Sequence, residues 1–156
     1  MKNLIILALG ALIVLGNAGC SKDNANDTPA AQSAKITRIE LRDFPAFQPN
    51  GADWDTWTAW PDIYLTIQSL VGSYQTTYVD ECTGGSTITW SNLSIMLNDL
   101  DYTWYIDLYD YDSGGSDSYM AGIDLSFSLD SRQSRPSYVN FSNGDVYVRL
   151  YLTWYD

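Results

Sequence analysis

The sequence contains no histidine. That absence excludes a Ser-His-Asp triad, a Cys-His pair and a histidine-ligated zinc site. Cysteine is scarce as well, with only Cys20 and Cys82. Without an imidazole to serve as base, Cys82 reads as a turn-flanking thiol rather than a nucleophile. Positive charge is also short: 8 Lys and Arg stand against 19 Asp and Glu, a net charge of −11. This balance argues against nucleic acid as a partner, and against an anionic membrane unless cations intervene. Glutamate is limited to Glu40 and Glu81. Paired carboxylates can hydrolyse glycosides, but no substrate cleft is evident in the pattern, so no enzymatic activity is expected. Beyond the first residues, no amphipathic helical period appears.

The N-terminus reads as a targeting segment. Lys2 supplies a positive start and Leu4–Leu15 an apolar run too short for a typical membrane span. It leads into "GNAGC", which ends at Cys20. A cysteine directly after small residues resembles a bacterial lipoprotein signal. That resemblance implies a signal peptide over 1–19, a palmitate-type acyl anchor on Cys20 and a tether over 20–34. The expected location is the bacterial outer membrane or cell surface. Asn17 stands where that signal usually has leucine, so a secreted or periplasmic protein is the alternative. The "SKDN" after Cys20 loosely resembles the short acidic signals of surface lipoproteins in Bacteroidetes. With Cys20 acylated, Cys82 has no partner and no disulfide is expected.

What is abundant is aromatic: 12 tyrosines and 6 tryptophans. With many valines, isoleucines and threonines, they suit pleated, half-buried surfaces. From Lys35 onward the period is two. "ITRIELRDF", "DIYLTIQS", "YQTTYVD", "STITW", "NLSIMLND", "TWYIDLYD", "AGIDLSFSL" and "DVYVRLYLTWY" alternate between turn signals. Eight such segments predict an all-β, eight-stranded antiparallel sandwich over 35–156.

Two acidic loops lie at strand ends. "GADWDTWTAWPDIYL" carries Asp53, Asp55 and Asp62, and "YDYDSGGSDSYMAG" carries Asp110, Asp112 and Asp117. Aspartates at i and i+2 can aim at one point where the chain leaves a strand, and Gly114–Gly115 permits the turn. Converging carboxylates repel unless a cation neutralises them, and hard oxygen ligands suit Ca²⁺. Solvated acidic turns are the plainer alternative. Trp54, Trp57 and Trp60 crowd the first loop. They form either an exposed contact surface or a lining folded down on the core; at least one is expected to be exposed.

"WYIDLYDYDSGGSDSYMAGIDLSFSL" resembles the strand–loop–strand core of C2 domains, the calcium- and phospholipid-binding sandwiches of synaptotagmins and protein kinase C. "PDIYLTI" is similar to that family's D-P-Y strand opening, with Ile63 in place of proline, and "ITRIELRDFP" to its first strand. The resemblance implies a C2-like fold with calcium ligands at Asp110, Asp112, Asp62 and Asp55, with Asp53 as the alternative to Asp55. Ser118 aligns with the family's last aspartate, and Asp117 is adjacent. The basic strand with which the family reads phosphoinositides has no counterpart in a local cluster here. The expected function is a non-catalytic, surface- or membrane-anchored calcium-binding sandwich whose loops contact lipid, glycan or protein. A carbohydrate-binding module that uses the loop tryptophans is the alternative.

Overall fold

The computed structural model describes residues 28–55 and 60–156. Its elements run β1 (Ser33–Asp43), β2 (Ile63–Ser69), β3 (Gly72–Gln75), β4 (Ile88–Trp90), β5 (Ile95–Leu97), β6 (Trp104–Asp110), β7 (Ser118–Leu125), α1 (Leu129–Ser134), β8 (Tyr138–Ser142) and β9 (Tyr147–Tyr155). They build two antiparallel sheets. One has the order β4-β1-β9-β8, with β5 also paired to β1; the other has the order β3-β2-β6-β7. The fold class is the expected all-β sandwich, with nine strands among the described residues rather than eight. The ninth is β8, and the short α1 precedes it. β1 starts at Ser33, and Ala31 and Gln32 are already bonded to Arg132 and Tyr155. Ordered structure thus begins ahead of Lys35.

Period-two patterning fills the space between the sheets. Ile63, Leu65 and Ile67 of β2 and Trp104, Ile106 and Leu108 of β6 point inward and are fully buried. They meet Ile36, Ile39 and Leu41 of β1 and Val148 and Leu150 of β9 in one continuous core. The spacing of Ile36 and Ile39 breaks strict alternation. The register shift between Ile36 and Arg38 against β9 absorbs the extra residue, as a β-bulge does, and returns both isoleucines to the core.

The two ends of the sandwich are built differently. Register pairs Ile63 with Asp110 at one end of β2–β6 and Gln68 with Tyr105 at the other. The first end carries the acidic loops. The second carries α1, the β2–β3 turn and the loop before β6. Ser128 caps α1 by accepting from Ser131 N–H, and Arg135 closes it in the left-handed region at φ 50°. A helix of under two turns has no room for an amphipathic period, which is why none was visible.

Candidate metal centre at the acidic end

β6 delivers Asp110 to the centre by continuing its own alternation. After Trp104, Ile106 and Leu108, the next inward position is Asp110, and it is 0% exposed. The Asp62 N–H donates to Asp110 Oδ1 at 2.9 Å. Asp110 Oδ2 is buried and has no hydrogen-bond partner. An unsatisfied buried carboxylate oxygen is costly. Burial pushes the Asp110 carboxyl up to about 6; the Asp62 N–H opposes that shift, and the charges of Asp55, Asp112 and Asp62 add to it.

The strand stops at Asp110, which frees Asp112 to turn back. Carboxylate oxygens of Asp55, Asp110 and Asp112 lie within 4.8 Å of one another. The structure therefore brings together three of the expected ligands and favours Asp55 over Asp53. Asp53 is exposed, and its backbone carbonyl accepts from Gln48 Nε2. Asp62 frames the site differently from the expectation. Its Oδ1 accepts from the Glu81 N–H at 2.7 Å, and its carbonyl accepts from Tyr111 N–H. It is thus engaged in clamping two loops through its backbone and one oxygen. Asp117 is also committed internally, accepting from Tyr64 Oη at 2.8 Å and from Asp112 N–H at 3.2 Å. The Tyr64 hydroxyl is pushed up to about 12, first by burial and then by this aspartate. Ser118 opens β7 opposite Asp110 in register.

Of the three tryptophans, Trp54 is buried, and its ring N–H donates to the Pro45 carbonyl at 2.9 Å. That corrects its assignment to the contact surface: the indole finds an acceptor within reach, so the loop folds it inward. Trp60 is 37% exposed. Trp57 and Cys20 lie outside the described residues.

Further residues at this end had no clear sequence signal. Tyr78 stacks on Tyr111, the middle residue of the D-x-D segment, with centroids 4.5 Å apart. Cys82 is free and buried; its thiol donates to the Val79 carbonyl. Burial, with Asp62, Asp80 and Asp110 nearby, pushes it up to about 11, which leaves it a poor nucleophile. On the outer face of the other sheet, arginines gather around one carboxylate. Arg38 and Arg42 both pair with Glu40, at 3.1 and 2.6 Å, and Tyr151 Oη donates to the same carboxylate. Arg149 lies over Tyr138 on the adjoining strands. Burial alone would raise Glu40; the Arg42 and Tyr151 hydrogen bonds and the arginine charges outweigh it and hold the carboxyl below its ordinary value. Alternation along β1 brings Arg38, Glu40 and Arg42 to one face, and pairing with β9 adds Tyr151 and Arg149.

No protein-family model and no curated protein sequence matches the chain. Solved structures do. Human group IVD cytosolic phospholipase A2, in complex with a linolenyl fluorophosphonate inhibitor and terbium chloride, superposes with a TM-score of 0.55 at 13% identity, over 81% of this chain and 18% of that one. A structure described as a C2 domain gives 0.52 at 8% identity, over 80% of this chain and 99% of that one. Extended synaptotagmin 2, with its SMP domain and a pair of C2 domains, gives 0.50 at 14% identity, over 80% and 27%. The chain thus spans less than a fifth of the phospholipase and nearly the whole of the isolated C2 domain. Its fold is a C2-like β-sandwich.

Proposed function

We propose that the protein is a non-catalytic, surface- or membrane-anchored sandwich that binds one Ca²⁺ at its acidic end and uses the loops there for contact. The observation that carries this reading is Asp110. A carboxylate with a buried, unpartnered oxygen, aimed among two more carboxylates, is a site built for a cation rather than a solvated turn. Asp55, Asp110 and Asp112 would hold the ion. An oxygen-only donor set suits a hard cation. When bound, the ion would neutralise the three carboxylates and fix the first loop against the D-x-D loop. The protein's own groups do the positioning: Asp62 ties the end of the first loop to the D-x-D loop through Tyr111 and to the β3–β4 connection through Glu81, and Asp117 holds the Asp112 backbone. The exposed Trp60 would then stand beside an ordered, charge-neutralised rim and serve as its contact residue for lipid, glycan or protein.

Calorimetric titration of the full chain with CaCl₂ tests this. Exposed modules bind Ca²⁺ at roughly 10⁻⁴–10⁻³ M, so saturation is expected by the millimolar range. MgCl₂ at the same concentration should give little heat, since Mg²⁺ keeps its waters and demands tight octahedral geometry. Asp110→Asn with Asp112→Asn should abolish the calcium heat. A wild type that gives no calcium heat at all would reduce these loops to acidic turns.

A further inference from the structure

The β2–β3 turn breaks the usual chemistry of turns. Ser69 pairs with Gly72, so Leu70 and Val71 are the two central residues of a tight hairpin. Such positions normally carry Gly, Asn or Asp. Leu70 is 90% exposed and Val71 44%. Neither has positive φ, so polar residues would fit that backbone equally well. Neither side chain is needed by the core.

The hairpin tip is not isolated. Leu70 lines an open groove of about 430 Å³ with Gln68, Ser69, Tyr102, Thr103 and Tyr105. Tyr102 and Tyr105 are themselves exposed. The result is an apolar tip flanked by two amphipathic rings, the arrangement that suits a membrane–water boundary. The described chain also begins at this end. Gln32 accepts at its carbonyl from Leu100 N–H, in the loop that leads directly to Tyr102. Cys20 precedes Thr28 by eight residues. An anchor there would hold this end nearer the lipid on average than the acidic end. The two ends of β6 are about 20 Å apart.

We propose that the Leu70–Val71 hairpin and the rings of Tyr102 and Tyr105 form a foot that inserts into the surface of the anchoring bilayer, so that the metal end faces away from that membrane. The orientation rests on the anchor reading; the lipid affinity of the foot does not. The nearby charges set the lipid preference. Asp107 is bound to Gln68 in the groove wall and Asp99 lies three residues before Tyr102, while Asp101 is paired with Arg132. The foot therefore favours zwitterionic over anionic headgroups, and it works without calcium.

The test uses the full chain with phosphatidylcholine vesicles and reads amide hydrogen exchange by mass spectrometry. Vesicles should slow exchange in segments 69–75 and 100–105 and leave 110–118 unchanged, with calcium or with chelator. Leu70→Asp with Val71→Asn should remove that protection without moving the melting temperature, since both residues lie outside the core. In a Cys20→Ala chain the same pair should lower vesicle partitioning by about tenfold, the scale of removing a large aliphatic contact from an apolar phase. Added anionic lipid should weaken partitioning at low salt. Foot protection that survives Cys20→Ala supports the proposal even if acylation itself proves wrong. Protection that appears at 110–118 instead, or nowhere, overturns it. So does protection that needs no vesicles and tracks a dimer abolished by Leu70→Asp, because the patch would then belong to a second copy.

Discussion

Among the described residues Glu40, Asp110 and Arg132 are buried charges, and the two at opposite ends of the sandwich, Arg132 and Asp110, are treated in opposite ways. Arg132, 8% exposed, sits on α1. Its Nε donates to the Ala31 carbonyl at 2.7 Å, and its Nη1 pairs with Asp101 at 2.6 Å. Asp101 keeps 69% of its side chain in water, so this charge is neutralised without a second burial. Asp110 has one backbone donor, one orphaned oxygen, and like charges as its neighbours. The fold completes the first charge and leaves the second open. A buried arginine with its partners is part of the architecture; a buried aspartate without them marks where something from outside belongs.

Neutral substitutions of the two should move stability in opposite directions. The larger effect is expected from Arg132→Met. It strands the fully buried Ala31 carbonyl and loses a charge-assisted pair, for about 3 kcal/mol. In a domain of this size that is a drop in Tm of roughly 10 °C, read by thermal melting without metal. Asp110→Asn should do the reverse in the metal-free protein at pH 7. It removes an ionised group that burial disfavours, and the new amide can donate to Asp55 or Asp112, for a gain of about 2 kcal/mol. If both variants destabilise alike, Asp110 is an ordinary structural residue and the contrast fails.

The asymmetry also explains what could be read from the sequence. Asp110 and Asp112 were legible because alternation and strand end are local: Trp104, Ile106 and Leu108 announce which way Asp110 must face. Asp62 and Asp117 were legible as members of the acidic end but not in their roles. Those depend on Glu81, Tyr64 and Tyr111, contacts that only folding creates. Arg132 gave no signal, since its partners are 101 and 31 residues away. Around Glu40, Arg38 and Arg42 follow from alternation within β1, but the parts of Tyr151 and Arg149 were invisible, because β1 and β9 come from opposite ends of the domain. β8 was missed although "YVNFS" alternates, with Val139 and Phe141 inward, because it is short and follows a helix too small to announce itself. The Leu70–Val71 tip was hidden by its composition: a strand-like pair at a turn reads as more strand.

A smaller effect separates the two ends by ligand. At ten times its Kd, Ca²⁺ should stabilise the wild type by about 1.4 kcal/mol, a few degrees in Tm. Arg132→Met should show the same increment from its lower baseline, because the sites are far apart and share no partners. Asp110→Asn should show none. A calcium shift that shrinks in Arg132→Met would mean the two ends are coupled.

The last effect is a matter of proton competition at the acidic end. Asp110 titrates near 6 in the folded, metal-free protein, against 3.8 ordinarily. Its folded value is raised, so the folded state holds the proton more tightly than the unfolded chain does. The favourable contribution is complete below about pH 4 and is lost as pH rises through 6. Metal-free stability should therefore decline across that window, by up to about 3 kcal/mol from this group alone. Calcium requires the ionised form. At pH 7 Asp110 is mostly ionised and the proton hardly competes. At pH 5 about nine in ten molecules carry it, so the apparent Kd should weaken by about tenfold, or 1.4 kcal/mol. Calorimetric titration at the two pH values measures this directly, and proton uptake into buffers of different ionisation enthalpy should show release on binding at pH 5 and nearly none at pH 7. A calcium affinity equal at pH 5 and pH 7 would mean that the ion is held by the more exposed Asp55 and Asp112 without Asp110, and that the orphaned oxygen is satisfied in some other way.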